Sequence, residues 1–351
     1  MQKSVDAVVP EARPTESRLW AALSNIGVTP LGVVVIAVLL LLPLIPPFNQ
    51  EHILRWLVSA ALLAARAIAF DFTTGYINVV NFGFAAFFGV GAYTSGLLAV
   101  NLGLSPWIGI FLGAIPAGVI GFLLGLVTLR LRGIFAAVMA WFVGLALLGL
   151  TRNLVELTRG PMGLSTPRLI DTPSNLPYFY VIVGMMLVTY FVLKLIVNSH
   201  YGLAFRAIGQ NFEAAQASGI NPTFYRVFNF TVQCIFAGWL GGFYAHYFGI
   251  LTPQIMLTSH TVEVLAIAYI GGRGSLWGGA VVAFPFIFFI ESLRSNLTQL
   301  PGLHLVIYGL LLIVVMIFYP GGFAQLYKTA SGYLKRLWQG RQDERAATTT
   351  S

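Results

Sequence analysis

The stretch WIGIFLGAIPAGVIGFLLGLVTL, residues 107–129, runs for 23 residues without a charged side chain. At roughly 1.5 Å of rise per residue, a helix needs about 20 such residues to cross the hydrocarbon of a bilayer. The stretch reads as a membrane span. Comparable runs lie at 26–44, 53–70, 134–150, 178–197, 227–248, 276–290 and 305–318. Two more, at 81–100 and 261–270, are apolar but interrupted. Gly83, Gly89, Gly91 and Gly96 punctuate the first of these, and the second runs into Gly271-Gly272-Arg273-Gly274. The reading is an all-α integral membrane protein of about ten transmembrane helices, two of them short or glycine-interrupted.

Composition supports this. Of 351 residues, 57% are hydrophobic and 9% charged, whereas a soluble domain carries about 25% charged residues. Thirteen of the 32 charged residues precede Leu19 or follow Tyr327, so polar tails flank an apolar body with no room for a sizeable soluble domain. The net charge of +8 forms no basic stripe and points to the positive-inside bias of cytoplasmic loops, not to nucleic acid. The first apolar run is followed by Pro43, Pro46 and Pro47 without an A-x-A-like site, which favours a retained span over a cleaved signal peptide.

Charge placement sets an orientation. Lys328, Lys335, Arg336, Arg341 and Arg345 follow the last span and place the C-terminus in the cytoplasm. Counting back through ten spans puts the 198–226 loop inside, along with Arg130, Arg132, Arg273 and the N-terminus. Arg152, Arg159 and Arg168 then fall outside, partly offset by Glu156 and Asp171. The expected organisation is a cytoplasmic tail at 1–25, a transmembrane domain at 26–322 with its cytoplasmic loop at 198–226, and a second cytoplasmic tail at 323–351.

The residues exclude several chemistries. None of Lys3, Lys194, Lys328 and Lys335 sits in a G-x-x-x-x-G-K-[ST] arrangement, so the chain builds no P-loop. Five histidines without paired spacing and the lone Cys234 give no metal centre. No G-x-S-x-G elbow is present. The chain reads as a non-enzyme that binds no cofactor. Asp71, Glu156, Glu263 and Glu291 fall near span ends, which argues against a stand-alone ion-coupled transporter or channel, the competing reading. Glu263 and Glu291 are the open exceptions, because their spans are poorly bounded. Arg66, about one turn from the inner end of its span, is expected to snorkel inward or to pair with Asp71.

In the 198–226 loop, helix formers are dense from Leu203 to Ala217, and Gly219 followed by Pro222 reads as a helix stop. A short amphipathic helix outside the membrane is expected. Its string Glu213-Ala214-Ala215, then three residues, then Gly219, resembles the E-A-A-x-x-x-G loop of ABC importer permeases. The stretch Gly75 to Thr94, with Asn81-Phe82-Gly83-Phe84-Ala85-Ala86-Phe87-Phe88-Gly89-Val90-Gly91-Ala92-Tyr93, is similar to the G-Y-x-G-x-x-S-x-G-H-A-A-F-F-G-I-G-A-Y motif of the permease subunits of branched-chain amino-acid (LivM-like) ABC importers. So are Leu129-Arg130-Leu131-Arg132-Gly133, the loop from Tyr201-Gly202 to Gly219-Ile220-Asn221, Gly271-Gly272-Arg273-Gly274-Ser275-Leu276-Trp277-Gly278-Gly279-Ala280, Tyr308-Gly309, and Tyr319-Pro320-Gly321-Gly322. Order and spacing hold over roughly residues 53–322. Asn81-Phe82-Gly83-Phe84 replaces the usual Ser-x-Gly-His, and Asp71-Phe72 stands near the usual Asn-Leu.

The resemblance implies a bacterial inner-membrane importer. It would comprise a second permease subunit, two ATP-binding cassette ATPases that hold ATP and Mg, and an extracytoplasmic solute-binding protein. The solute would be a branched-chain or related amino acid, or, as in relatives with the general motif, urea or a short amide. Arg206, Glu213, Ala214, Ala215 and Gly219 would couple to the ATPase. Read from the residues alone, the glycines at 83, 89, 91 and 96 permit close backbone approach and helix interruption. Asn78, Asn81 and Tyr93 then supply neutral hydrogen-bonding groups beside a path, with Phe84 as a constriction, or the segment simply packs helices tightly. Gly271, Gly272, Arg273 and Gly274 form the second glycine-rich break, matching the paired interruptions of pseudo-symmetric transporters.

Overall fold

The computed structural model describes residues 30–46, 48–128, 131, 133–296, 306, 309–310, 313–314, 317 and 322–325. The expected tail at 1–25, residues 326–351 of the second tail, Arg130, Arg132 and most of the 305–318 run lie outside the described residues. The chain divides after Leu42 into two units. The first contributes α1, Pro30–Leu41, whose Val34, Val38 and Leu41 are exposed.

The second unit holds α2 (Glu51–Thr74), α3 (Phe84–Leu102), α4 (Pro106–Thr128), α5 (Ile134–Asn153), a short α6 (Val155–Thr158), α7 (Leu176–Asn198), α8 (His200–Gln210), α9 (Phe212–Ala217), α10 (Pro222–Phe248), α11 (Thr258–Gly271) and α12 (Trp277–Asn296). Two-residue strands β1 (Leu164–Ser165) and β2 (Ile250–Leu251) pair antiparallel, Leu164 opposite Leu251. Six described helices are long and apolar enough to cross a membrane: α2, α3, α4, α5, α7 and α12. The chain is therefore a multi-pass, all-helical membrane protein.

The helix α10 is long enough to cross as well, but carries Arg226, Asn229, Gln233 and His246, all buried. Each makes at least one hydrogen bond inside the protein, which is how polar residues are tolerated at membrane depth, although Asn229 Oδ1 has no partner among the described residues. Asn229 Nδ2 donates to Phe72 O at 3.0 Å and Gln233 Nε2 to Phe70 O at 3.3 Å, so two side chains of α10 grip the backbone of α2. His246 lies between Ser95 Oγ and Pro167 O, each at 2.8 Å, and Thr166 Oγ1 donates to Ala245 O at 2.6 Å. These bonds hold Thr166 and Pro167 against the end of α10.

Glycine decides how α10 packs. A Cβ on Gly91 would meet Gly238 O at 2.1 Å, one on Gly238 would meet Gly113 O at 3.0 Å, and one on Gly242 would meet Ile110 Cα at 2.8 Å. With little hydrophobic force between helices in lipid, such backbone approach is the main packing gain. It also explains why α3 is not interrupted: it runs unbroken through Gly89, Gly91 and Gly96. Each glycine costs about 1 kcal/mol of helix propensity, which the close crossings offset. The break precedes the helix, between Gly75 and Gly83. The second expected short span is short, since α11 has 14 residues and stops at Gly272, φ +100°.

Candidate functional site

The 198–226 segment is two helices, not one. Asn211 adopts an extended conformation, φ −151° and ψ 109°, and its Oδ1 accepts from Glu213 N and Ala214 N at 3.0 Å each. Asparagine is a strong N-cap, so it restarts the helix where density of helix formers alone predicts continuity. The far end follows the expected stop: Ile220 N donates to Ala215 O at 3.1 Å, Gly219 N to Gln216 O at 3.0 Å, and Gly219 takes φ +83°. This is the two-bond glycine stop that satisfies orphan carbonyls.

Gly202, Ala204, Phe205 and Ile208 form the buried face of α8. The Phe205 ring meets Phe72 edge-on at 5.7 Å, and Arg206 lies over the Tyr76 ring at 5.8 Å. Leu203, Arg206, Glu213, Ala214 and Gly219 are exposed on the outer side, whereas Ala215 is buried. Arg226 donates to Leu131 O at 3.4 Å and lies over the Phe212 ring at 5.7 Å, tying the 131–133 turn to α9.

Three segments far apart in sequence meet beneath α8. Asp71, at the end of α2, accepts Gly274 N on Oδ1 at 2.8 Å and Leu276 N on Oδ2 at 2.9 Å. The Tyr76 hydroxyl donates to Gly274 O at 2.8 Å, and burial pushes its phenol well above the ordinary range, so it stays a donor. Asn78, at φ +55°, donates to Gly209 O and accepts from Arg273. A Cβ on Gly209 would meet Tyr76 O at 2.3 Å. The 199–221 segment thus rests directly on the 75–78 turn, and that turn is clasped to the α11–α12 turn.

This places Asn78 with Gly209 and Arg273, away from Asn81, Phe84 and Tyr93. Asn81 is buried and donates to Gln233 Oε1 at 2.9 Å. Phe84 is buried edge-on to Phe70 at 5.4 Å, and Tyr93 donates to Leu251 O at 3.4 Å. These three groups, like Gly83, Gly89 and Gly91, face other parts of this chain: Tyr93 meets β2, Gly89 the Met256 side chain, and the rest other helices. Gly271 packs on α12, where a Cβ would meet Gly279 N at 2.2 Å, and Gly272 and Gly274 turn the chain.

Asp71 does not pair with Arg66; the Gly274 and Leu276 amides occupy it. Arg66 does not snorkel inward either. Its Nη2 donates to His260 O at 3.3 Å in the first turn of α11, and its guanidinium lies over the Phe88 ring at 4.9 Å. The sequence expectation placed Arg66 by its distance from a span end, and the short α11 supplies a nearer acceptor inside the bundle. Gln233, Asn229, His246 and Thr261, whose Oγ1 accepts Ala85 N at 3.0 Å, were missed as structural polar groups. Their signal was present as isolated polar residues inside apolar runs.

The Asp71 clasp has a measurable consequence. Asp71→Ala strands the Gly274 and Leu276 amides, and an unsatisfied buried donor costs about 1–3 kcal/mol, so a loss of roughly 2–6 kcal/mol is expected. Asp71→Asn keeps one acceptor and should lose less than half of that. Thermal melting of the detergent-solubilised chain, followed by size-exclusion recovery, separates the two. Equal melting of both variants and the parent would remove the clasp from the account.

Residues 52–316 match the family model described as "Branched-chain amino acid transport system / permease component". The chain is 28% identical over 283 residues to the high-affinity branched-chain amino acid transport system permease protein LivM of Salmonella typhimurium, covering 73% of this chain and 66% of that protein. It is 24% identical over 223 residues to the nucleoside ABC transporter permease protein NupC of Lactococcus lactis subsp. cremoris, covering 56% of this chain and 69% of that protein. It is 22% identical over 279 residues to the permease protein LivH of the high-affinity branched-chain amino acid transport system of Escherichia coli, covering 73% and 89% respectively. The chain thus spans 66% of the length of the LivM protein it matches. No solved structure matches the chain significantly.

Proposed function

This chain belongs to the family of permease components of branched-chain amino acid transport systems, and from that membership we propose that it is the translocation subunit of an ATP-driven importer in a bacterial inner membrane. The observation that carries this reading is the 199–221 segment. Its Glu213-Ala214 face and Gly219 stop are exposed for a partner, while Gly209 seats α8 on the turn that Asn78 and Asp71 link to α11 and α12. A movement imposed on α9 would be passed to the ends of three helices at once. ATP and Mg would be held by two partner ATPases. A second permease, surrounded by lipid, would complete the membrane core, and a solute-binding protein would deliver the solute.

The ten-span arrangement with both termini inside accompanies this proposal, as do the cytoplasmic tails at 1–25 and 323–351. It is supported by the meeting of the 75–78, 131–133, 199–221 and 272–276 connections with one another, while β1 and β2 pair away from them. Arg206, Glu213, Ala214, Ala215 and Gly219 form the coupling surface, Ala215 from within. Asn81, Phe84 and Tyr93 would bear on the path by setting the packing of α3. Asn78, Gly271, Gly272, Arg273 and Gly274 would transmit movement to it. A branched-chain or related amino acid is the solute read from the similarity to the LivM and LivH proteins, whose names carry that cargo.

Purification of the chain from its native membrane in mild detergent, with mass spectrometry of what accompanies it, tests the reading. A second permease and P-loop ATPases are expected. Reproducible recovery of the chain alone, under conditions that preserve a known ABC complex, would overturn the importer reading and reopen Glu263 and Glu291 as ion-coupling groups.

A further inference from the structure

A charged cluster deep in the helices is used by nothing described so far. Arg66 stands 15 residues into α2 and eight before its end, so its Cα lies about 12 Å from one end and about 22 Å from the other at 1.5 Å per residue. This is inside the hydrocarbon, where an ionisable group marks a functional site by default. The residue is only 9% exposed. Of the five donors of a guanidinium, one hydrogen bond is made among the described residues, the 3.3 Å bond to His260 O, and Nε has no acceptor there.

Arg66 is aimed at the first turn of α11, which starts within the bundle after the Pro253–Met256 turn. The N-cap of α11 is Leu257, and no side chain caps the helix. The Leu257 side chain offers no acceptor to the first-turn amides, and among the described residues its carbonyl takes only His260 N, at 3.1 Å, so no side chain there compensates the positive end of the helix dipole beside the guanidinium. Glu263 lies one turn further on, close enough to act electrostatically on Arg66. The described residues include no direct ion pair between the two. Glu263 reaches His260 Nδ1 at 3.5 Å, with side-chain exposures of 30% and 44%, so the cluster opens on the α11 face. A guanidinium with unmet donors beside a helix N-terminus, and a carboxylate one turn on that attracts it without direct contact, match the two ends of an α-amino acid. Discontinuous helices whose N-termini face anionic solute groups are the general solution for such sites in membranes.

We propose that Arg66 and the uncapped first turn of α11 take the carboxylate of a zwitterionic solute in passage, and that Glu263 takes its ammonium group. The inference rests on the amino-acid reading above and assigns its path residues, which differ from Asn81, Phe84 and Tyr93.

The test uses the complex purified with this chain, reconstituted in proteoliposomes with its binding protein and ATP, and radiolabelled leucine as the probe. In Arg66→Met, which keeps length and apolar packing, maximal uptake should fall at least tenfold. The half-saturating leucine concentration should be unchanged, because the binding protein sets it. Arg66→Lys should restore at least a third of the parent rate, and Glu263→Gln, at a half-exposed position, should lower the maximal rate at least fivefold. An assembled Arg66→Met complex transporting at the parent rate would overturn the site, as would Arg66→Lys no better than Arg66→Met. If Arg66→Met does not assemble, Glu263→Gln decides alone, and parent-like uptake by it overturns the proposal. Failure of the parent complex to take up leucine, isoleucine or valine would overturn the solute reading and this site with it. Parent uptake with unaffected variants would overturn the site only.

Discussion

Gly241→Val is expected to destabilise the folded chain severely. A Cβ at this position would lie 1.9 Å from Phe88 O and 3.0 Å from Ala92 N, both backbone atoms of α3. No rotamer relieves a clash with backbone, so α3 and α10 must separate. That separation would stretch the Phe87–Phe230 contact, which spans the same pair of helices, and the bond from Asn81, just before α3, to Gln233. Overpacking of a well-filled core costs about 1–3 kcal/mol, and more where the backbone must shift. A loss of about 3 kcal/mol or more is expected, read as collapse of the monodisperse peak on heating. Gly184→Ala is the contrast, since a Cβ there meets nothing within 4 Å, and it should melt no lower than the parent. Equal stability of the two variants would contradict the crossing described for α10.

The second large effect is expected at Gly209. Valine there would press on Tyr76 O, 2.3 Å from the Cβ position, and displace the carbonyl that accepts from Asn78. The helix α8 is amphipathic and also held by Phe205, so it should remain folded but lift off the 75–78 turn. Uptake in the reconstituted complex should drop at least tenfold, while the complex still elutes intact. Uptake at the parent rate would mean that movement reaches the membrane helices by another contact.

Much of the helix inventory was legible because membrane spans are dictated by length and apolarity alone. The stop at Gly219 was legible for a similar reason, being a local rule about one residue with positive φ. Asn211 was a harder case. Its capping role depends on the choice of an extended backbone at one position inside a run of helix formers, and both states satisfy local preferences. The α3 glycines were open to two readings for a physical reason, because close helix packing and a solute path both require small residues, and only the partner surface distinguishes them. Asn78 was grouped with Asn81 by proximity in sequence. The turn at φ +55° sends it toward Gly209 and Arg273, 131 and 195 residues away. Asp71 and Arg66 were paired by spacing on one helix, whereas each finds its acceptors or donors on α11 and the turn after it. Charges inside an apolar body choose partners across helices, and sequence separation along one helix says little about that choice.

The central claim, that the 199–221 segment transmits work from a partner ATPase to the membrane helices, is tested most directly by measuring ATP hydrolysis and solute uptake in the same proteoliposomes for Glu213→Arg. A bulky replacement at exposed Gly219, whose φ of +83° disfavours any side chain, serves as the second variant. The account predicts continued hydrolysis with uptake reduced at least tenfold and the membrane core still assembled. Parent-like uptake in both variants would contradict it.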